Sequence, residues 1–203
     1  MATEVLSTRD RLCEAAIRTA TRDGILAMTL DNVAKEAGVS KGGVMYHFPT
    51  KDELVRAMLR YFGQRVETML LRKVAADPSP SLRWGRALLD CVFPEPGTPS
   101  DDPTLTPEVI DQFMLTTLAA AVNTPGLIDP LREVAQKIQA QMLADGEHGM
   151  DQLLIWLALD GLFLWQYIGL IERGSPLFEQ FRQALRERLK ALASPTVPAE
   201  VRS

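Results

Sequence analysis

The stretch VAKEAGVSKGGVMYHFPTKDEL, residues 33–54, decides how this chain is read. Apolar residues recur through it at helical spacing, yet Gly38, Gly42, Gly43 and Pro49 interrupt it. A single helix does not tolerate so many breaks, but a series of short ones does. Leu30, Val33, Ala34 and Ala37 fall at i, i+3, i+4 and i+7, one apolar face of a short helix. Thr29 can cap that helix and Gly38 can end it. Ser40 is the next cap, followed by a very short helix with Val44 and Phe48 as its inward pair. Pro49 cannot easily continue it. Thr50-Lys51-Asp52-Glu53 then has the form of a reciprocal capping box, Thr50 and Glu53 each satisfying a free backbone N–H. Leu54, Met58, Phe62, Val66 and Met69 or Leu70 give the apolar face of a helix reaching about Ala76, about 39 Å at the standard rise.

Two short helices joined by a tight Gly38-Val39-Ser40 turn form a helix-turn-helix, whose second helix can enter the major groove of DNA. Thr29 and Ser40 stand at helix starts, where free N–H groups and the dipole attract phosphate. Gly42 and Gly43 lack bulk, so backbone can come close to a ligand. Tyr46 and His47 can donate to phosphate oxygens, and Lys51 can reach the same strand. Lys41 is the best candidate for a base contact, with Gly43 and Met45 as apolar ones. Alone, Tyr46 and His47 read as a core tyrosine and a solvated histidine, and the lysines as surface charge. The joint pattern favours DNA.

Working outward, strand signals are scarce. A first helix is expected from about Ser7 to Arg22, with Leu12, Ala16 and Thr19/Ala20 inward and Gly24 as a left-handed stop. Asp77 to Ser81 is a break, and a helix follows over about Leu82 to Phe93. Pro94 to Pro107 holds five of the thirteen prolines and reads as a loop. Further helices are expected at about 107–123, 130–145, 151–173 and 176–193, with the last ten residues as a tail. The class is all-α, about nine helices.

The chain has 203 residues and a net charge of −4, 46% hydrophobic and 24% charged, which suits a globular protein. The first 60 residues carry nine Lys/Arg and eight Asp/Glu; the remainder carries thirteen against eighteen. A weakly basic end on an acidic body can still bind a polyanion locally. Cys13 and Cys91 make no disulfide framework. No secretory signal opens the chain, so a cytoplasmic location is the default. Leu153 to Ile171 is nearly long enough to span a bilayer, but Asp160 stands at its centre, and a helix buried on most sides is the reading taken.

Thr29 to Phe48, TLDNVAKEAGVSKGGVMYHF, with Pro49-Thr50-Lys51-Asp52-Glu53-Leu54 after it, resembles the TetR family of bacterial transcriptional regulators. Thr-Leu, Ala-Gly-Val-Ser, Tyr-His-Phe and Lys-Asp-Glu-Leu fall in the family's order, over about the first 65 residues. The resemblance implies a three-helix DNA-binding unit, residues 6–66 with the motif at 29–48, on a helical ligand-binding and dimerisation domain, 67–203. It also implies a homodimer on a double-stranded palindromic operator, released by a small effector. Family members often carry a larger residue at Gly42-Gly43; the two glycines imply a recognition helix that orders fully on DNA.

The resemblance implies a dimer surface on the last two helices, and its candidate residues are Leu157, Gly161, Leu164, Ile168, Phe178, Phe181 and Leu185. Asp160 in this apolar run needs a partner, a hydroxyl, an Arg or a backbone N–H. The resemblance places the effector pocket among helices four to eight. Candidate walls are Phe62, Met69, Trp84, Leu88, Cys91, Phe113, Met114, Leu118, Met142 and Trp165, a set that suits a mostly apolar, aromatic or cationic effector. No metal cluster, phosphate-binding loop or nucleophile elbow is present, and neither an enzyme nor a cofactor is implied. A ligand-binding bundle without DNA function and an activator of the same family are the alternatives.

Overall fold

Ser7 starts the first helix by accepting a hydrogen bond from the Asp10 N–H, so α1 runs over Thr8–Asp23. The structure, a computed structural model, describes residues 6–79, 81–94, 102, 104–124 and 126–193. Among these residues there are eight further helices and no strand: α2 Leu30–Ala37, α3 Lys41–His47, α4 Lys51–Ala76, α5 Arg83–Val92, α6 Pro107–Ala121, α7 Asp129–Leu143, α8 Gly149–Tyr167 and α9 Pro176–Ala193. Most of the expected proline-rich loop and the expected tail lie outside the described residues. No described helix is long and apolar enough to cross a membrane.

The chain forms two compact units, Met1–Met69 with Ser100–Ile138, and Leu70–Pro99 with Gln139–Ser203. In the first, α1, α2, α3 and the start of α4 share a core of Leu12, Ala16, Ala20, Met28, Val33, Val44, Phe48, Leu54, Met58 and Phe62. Phe113 of α6 joins it, its ring 4.4 Å from that of Phe62. Val55 and Leu59 are buried as well, so α4 is apolar over a wider arc than its expected face. Polar ties hold α1 in place. Arg65 of α4 donates to Glu14 of α1 at 3.1 Å and to Asp102, and Tyr61 Oη donates to the same Glu14 at 3.2 Å. Gly63 brings α4 close to α7: a Cβ there would sit 3.1 Å from Val134 Cγ2.

In the second unit α5 packs on α8 and α9. Trp84, Leu88 and Leu89 are buried, and a Cβ on Gly85 would lie 2.8 Å from Leu189 Cδ2. The start of α5 has no cap of its own, because Leu82 stands at φ 60° and offers no side-chain oxygen. The buried Gln152 of α8 fills that role, its Oε1 accepting from the N–H groups of both Trp84 and Gly85.

Three local expectations need correction. Gly24 ends α1 at φ 85° and ψ 149°, a positive φ with an extended ψ, not a left-handed helical stop. Thr50 does cap α4 by accepting from the Glu53 N–H at 3.2 Å, but the Glu53 carboxylate takes the Thr50 hydroxyl proton and not its backbone N–H. Only half of the capping box forms. Finally α8 stops at Tyr167, well before Arg173. Gly169 at φ 74° lets Gly169 N–H reach Gln166 O and Leu170 N–H reach Trp165 O, the paired bonds that close a helix and turn the chain away.

Candidate nucleic-acid interface

The motif is built by local capping. Thr29 Oγ1 accepts from Asn32 N–H at 3.2 Å and starts α2; Ser40 Oγ accepts from Gly43 N–H at 3.1 Å and starts α3. A hydroxyl that accepts one bond can still donate its own proton. Between them Gly38 takes the left-handed conformation, φ 68° and ψ 32°. Its N–H bonds Lys35 O, and Val39 N–H bonds Ala34 O, so α2 closes and α3 leaves in a new direction. Glu36 in the last turn of α2 takes hydrogen bonds from Arg18 and Arg22 of α1, which hold its carboxyl below the usual range. Val44 and Phe48 pin α3 to the core.

What α3 turns outward is the expected set. Tyr46 is 84% exposed, with its ring edge-on to His47 at 5.1 Å. Met45 and Gly42 are exposed, and Gly43 and His47 are half-buried. Both lysines are already engaged. Lys41 Nζ lies 2.7 Å from the carboxylate of Asp31 on α2, and Lys51 Nζ donates to Leu26 O at 2.7 Å. The second bond ties the start of α4 to the loop between α1 and α2.

The two glycines have no internal cause. Neither has a positive φ, a Cβ on Gly42 would meet only Ser40 Oγ at 3.8 Å, and one on Gly43 would meet nothing nearer than 3.5 Å. Alanine fits at both positions in the isolated chain. Nothing inside the fold requires glycine at either position.

Sequence reasoning missed two members of this surface. Asp31 pairs with Lys41 across the turn, and Arg9 of α1 lies 4.6 Å over the Phe48 ring. Neither partner could be named from spacing, because both contacts cross helices.

The remaining candidates divide between the units. Phe62, Met69, Phe113, Met114 and Leu118 belong to the first unit; Trp84, Leu88, Cys91, Met142 and Trp165 belong to the second. Phe62, Phe113 and Met142 are fully buried, while Leu118 and Trp165 stand on the surface. On α8, Leu157 (66% exposed), Gly161 and Leu164 line one exposed face with Leu154 and Ala158, and Ile168, just past the end of the helix, is exposed too. Phe181 of α9 is exposed too and meets the Trp165 ring at 6.1 Å. Leu185 is half-buried. Phe178 does not belong to that face: it is buried against Phe93, ring centroids 5.4 Å apart, with Arg173 over it. Asp160 lies in the same exposed turn of α8. Its partner is the Trp156 side chain, and the apolar surroundings push its pKa up to about 6 although the residue still reaches solvent.

A capped two-helix reader with its polar and aromatic side chains facing out, ahead of a second helical unit, defines a helix-turn-helix regulator. Residues 12–58 match bacterial regulatory proteins of the tetR family, and residues 82–194 match the tetracyclin repressor-like C-terminal domain. The chain belongs to the TetR family of transcriptional regulators.

Among curated relatives, the HTH-type transcriptional regulator TtgR of Pseudomonas putida is 34% identical over 92 residues, covering 45% of this chain and 44% of TtgR. TtgW of the same organism is 40% identical over 58 residues, 29% of this chain and 43% of its own. The chain thus spans less than half the length of the curated relatives it matches. Among solved structures, the multidrug binding protein EbrR complexed with ethidium is 27% identical, covers 90% of this chain and 98% of EbrR, and superposes with a TM-score of 0.61. EbrR has also been solved with malachite green and with proflavin.

Proposed function

We propose that this chain is a homodimeric repressor that binds a palindromic DNA operator and is released by a small, mostly apolar cation. The observation that carries the reading is the outward face of α3: Lys41, Met45 and Tyr46 are exposed on a helix whose two glycines serve nothing inside the fold. Residues 6–66 do the DNA reading. Thr29, Ser40, Tyr46, His47 and Lys51 meet phosphates, and Lys41 with Gly43 and Met45 meets base edges. Gly42 lets the backbone close on the DNA.

One such motif reads few base pairs. Two, about 34 Å apart, read a palindrome. The exposed apolar face of α8 with Phe181 supplies the dimer surface, since a patch of this kind on a folded chain marks an interaction site. Residues 67–203 carry the dimer contacts and most of the effector-binding part. The effector class rests on EbrR, which binds ethidium, malachite green and proflavin, and on the aromatic and methionine side chains among the candidate walls. Effector binding shifts α4, which begins at Lys51 beside the reader and runs on to Ala76. The effector must bind the DNA-incompetent state more tightly, or nothing shifts.

The test uses a duplex selected by the full-length protein from a randomised pool, with a fluorescent label. Proflavin or ethidium titrated into the complex should release the duplex, as read by anisotropy against a dye-only control. A duplex that stays bound at saturating dye rejects this effector class. A chain that selects no duplex rejects the repressor reading.

A further inference from the structure

Lys41 is the only Lys or Arg between Val39 and Thr50, so it is the whole fixed positive charge of α3. In the free chain that charge is taken: Nζ sits 2.7 Å from Asp31 Oδ2. Both side chains remain about half exposed, 54% for Lys41 and 53% for Asp31. Asp31 stands in the first turn of α2, where the helix dipole favours a carboxylate, so its place does not depend on the lysine. The turn through Gly38 then brings the first residue of α3 against it.

Resting on the DNA-binding reading above, we propose that Asp31 is a specificity-determining residue. It positions Lys41 for a base edge and penalises the use of Lys41 on phosphate. A lysine ammonium has three donors and no fixed fork. With one donor given to Asp31, two remain, which suits the O6 and N7 acceptors of a guanine edge. A phosphate contact is different. Swinging Lys41 onto the backbone breaks the pair and leaves the bare Asp31 carboxylate facing a polyanion. Non-specific complexes, which depend almost wholly on phosphate neutralisation, therefore gain little from Lys41. Operator complexes keep the pair and gain a base contact. Asp31 raises the ratio of operator to non-specific affinity, and its own negative charge is part of the device.

The size of the effect follows from the exposure of the pair. Exposed ion pairs are weak, so the ratio should change about two- to fivefold and not by orders of magnitude. The experiment measures wild type, D31N, K41A and the double variant on two labelled duplexes: one selected from a randomised pool by the wild type, and one of scrambled sequence and equal length. D31N should tighten binding to the scrambled duplex and lower the ratio by that factor. Its log affinity against log salt on the scrambled duplex should steepen by about 0.9, one more phosphate neutralised. In the K41A background, D31N should leave the ratio unchanged.

An unchanged ratio in D31N overturns the proposal. So does an equal change with and without Lys41, which would be general charge repulsion. D31S serves as a second carboxylate-free variant if D31N is unfolded by circular dichroism. Failure of the wild type to select any duplex overturns the DNA-binding reading instead, so the two failures are distinct.

Discussion

Gln152, fully buried on α8, accepts a hydrogen bond at 3.0 Å from the backbone N–H of Trp84, the second residue of α5. The same oxygen accepts from Gly85 N–H at 3.1 Å, and the amide nitrogen donates to Asp145, whose other oxygen binds Arg83. One side chain thus replaces the cap that Leu82 cannot supply. Without it two buried N–H groups lose their acceptor, a loss of about 1–3 kcal/mol for an unsatisfied buried group. Q152L should lower the urea midpoint accordingly with little change in the denaturant slope. A midpoint equal to wild type would mean that water or a neighbour takes over the cap.

Gly42 and Gly43 give a prediction with opposite signs for stability and binding. A Cβ at either site meets only ordinary contacts, so alanine should strengthen α3 by up to about 1 kcal/mol each, the helix propensity gap. If the glycines serve close approach to DNA, the same substitutions should weaken operator binding. Thermal unfolding and duplex titration on G42A and G43A separate the outcomes. Higher stability with unchanged DNA affinity would leave the glycines without a role at the interface.

Much of this surface was legible in the sequence, and the boundary is physical. Ser7, Thr29, Ser40 and Thr50 could be read as caps because a cap acts within three residues of itself, and all four accept the bonds assigned to them. Gly38 was readable for the same reason. The pairs Asp31–Lys41 and Lys51–Leu26 join different elements across turns, and Gln152–Trp84 spans 68 residues. No local pattern encodes those partners. The end of α8 was misplaced because Ile168, Leu170 and Ile171 continue the apolar run beyond the point where Gly169 has already closed the helix. Phe178 was assigned to an outer face because an apolar stripe on α9 does not say which side meets Phe93.

The proposed dimer surface can be tested by mass in solution as well as by DNA binding. Leu157 and Ile168 are both about two-thirds exposed, at 66% and 60%, so a charge there should cost the folded monomer little. Between two copies the same charge would be buried without a partner, which costs far more. L157E and I168E should shift the sedimentation mass from dimer towards monomer while circular dichroism stays helical. Operator binding should fall with them, because a monomer holds one half-site. A mass that does not change would move the interface elsewhere.

Asp160 makes the stability of that same helix depend on pH. Loss of hydration raises its pKa from 3.8 to about 6, against the Trp156 hydrogen bond, which lowers it. Below the unfolded value the carboxyl is neutral in both states and costs nothing. Between the two values the folded state holds the proton and the unfolded state does not, so stability falls as pH rises through this window. Above about 6 both states are ionised, and the cost of the charge is complete. D160N removes the titration while keeping the shape. It should match wild type in acid, gain on it as pH rises towards 6, and hold a constant advantage beyond. Burial of α8 against a second copy would push the carboxyl further up, so the gain should begin at the same pH but continue to higher pH and end larger where the protein is dimeric than where it is dilute and dissociated. Urea unfolding of both proteins across this range, at two concentrations, reads both effects. Curves that stay parallel all the way from pH 3.8 to about 6 would show that the carboxylate is fully hydrated.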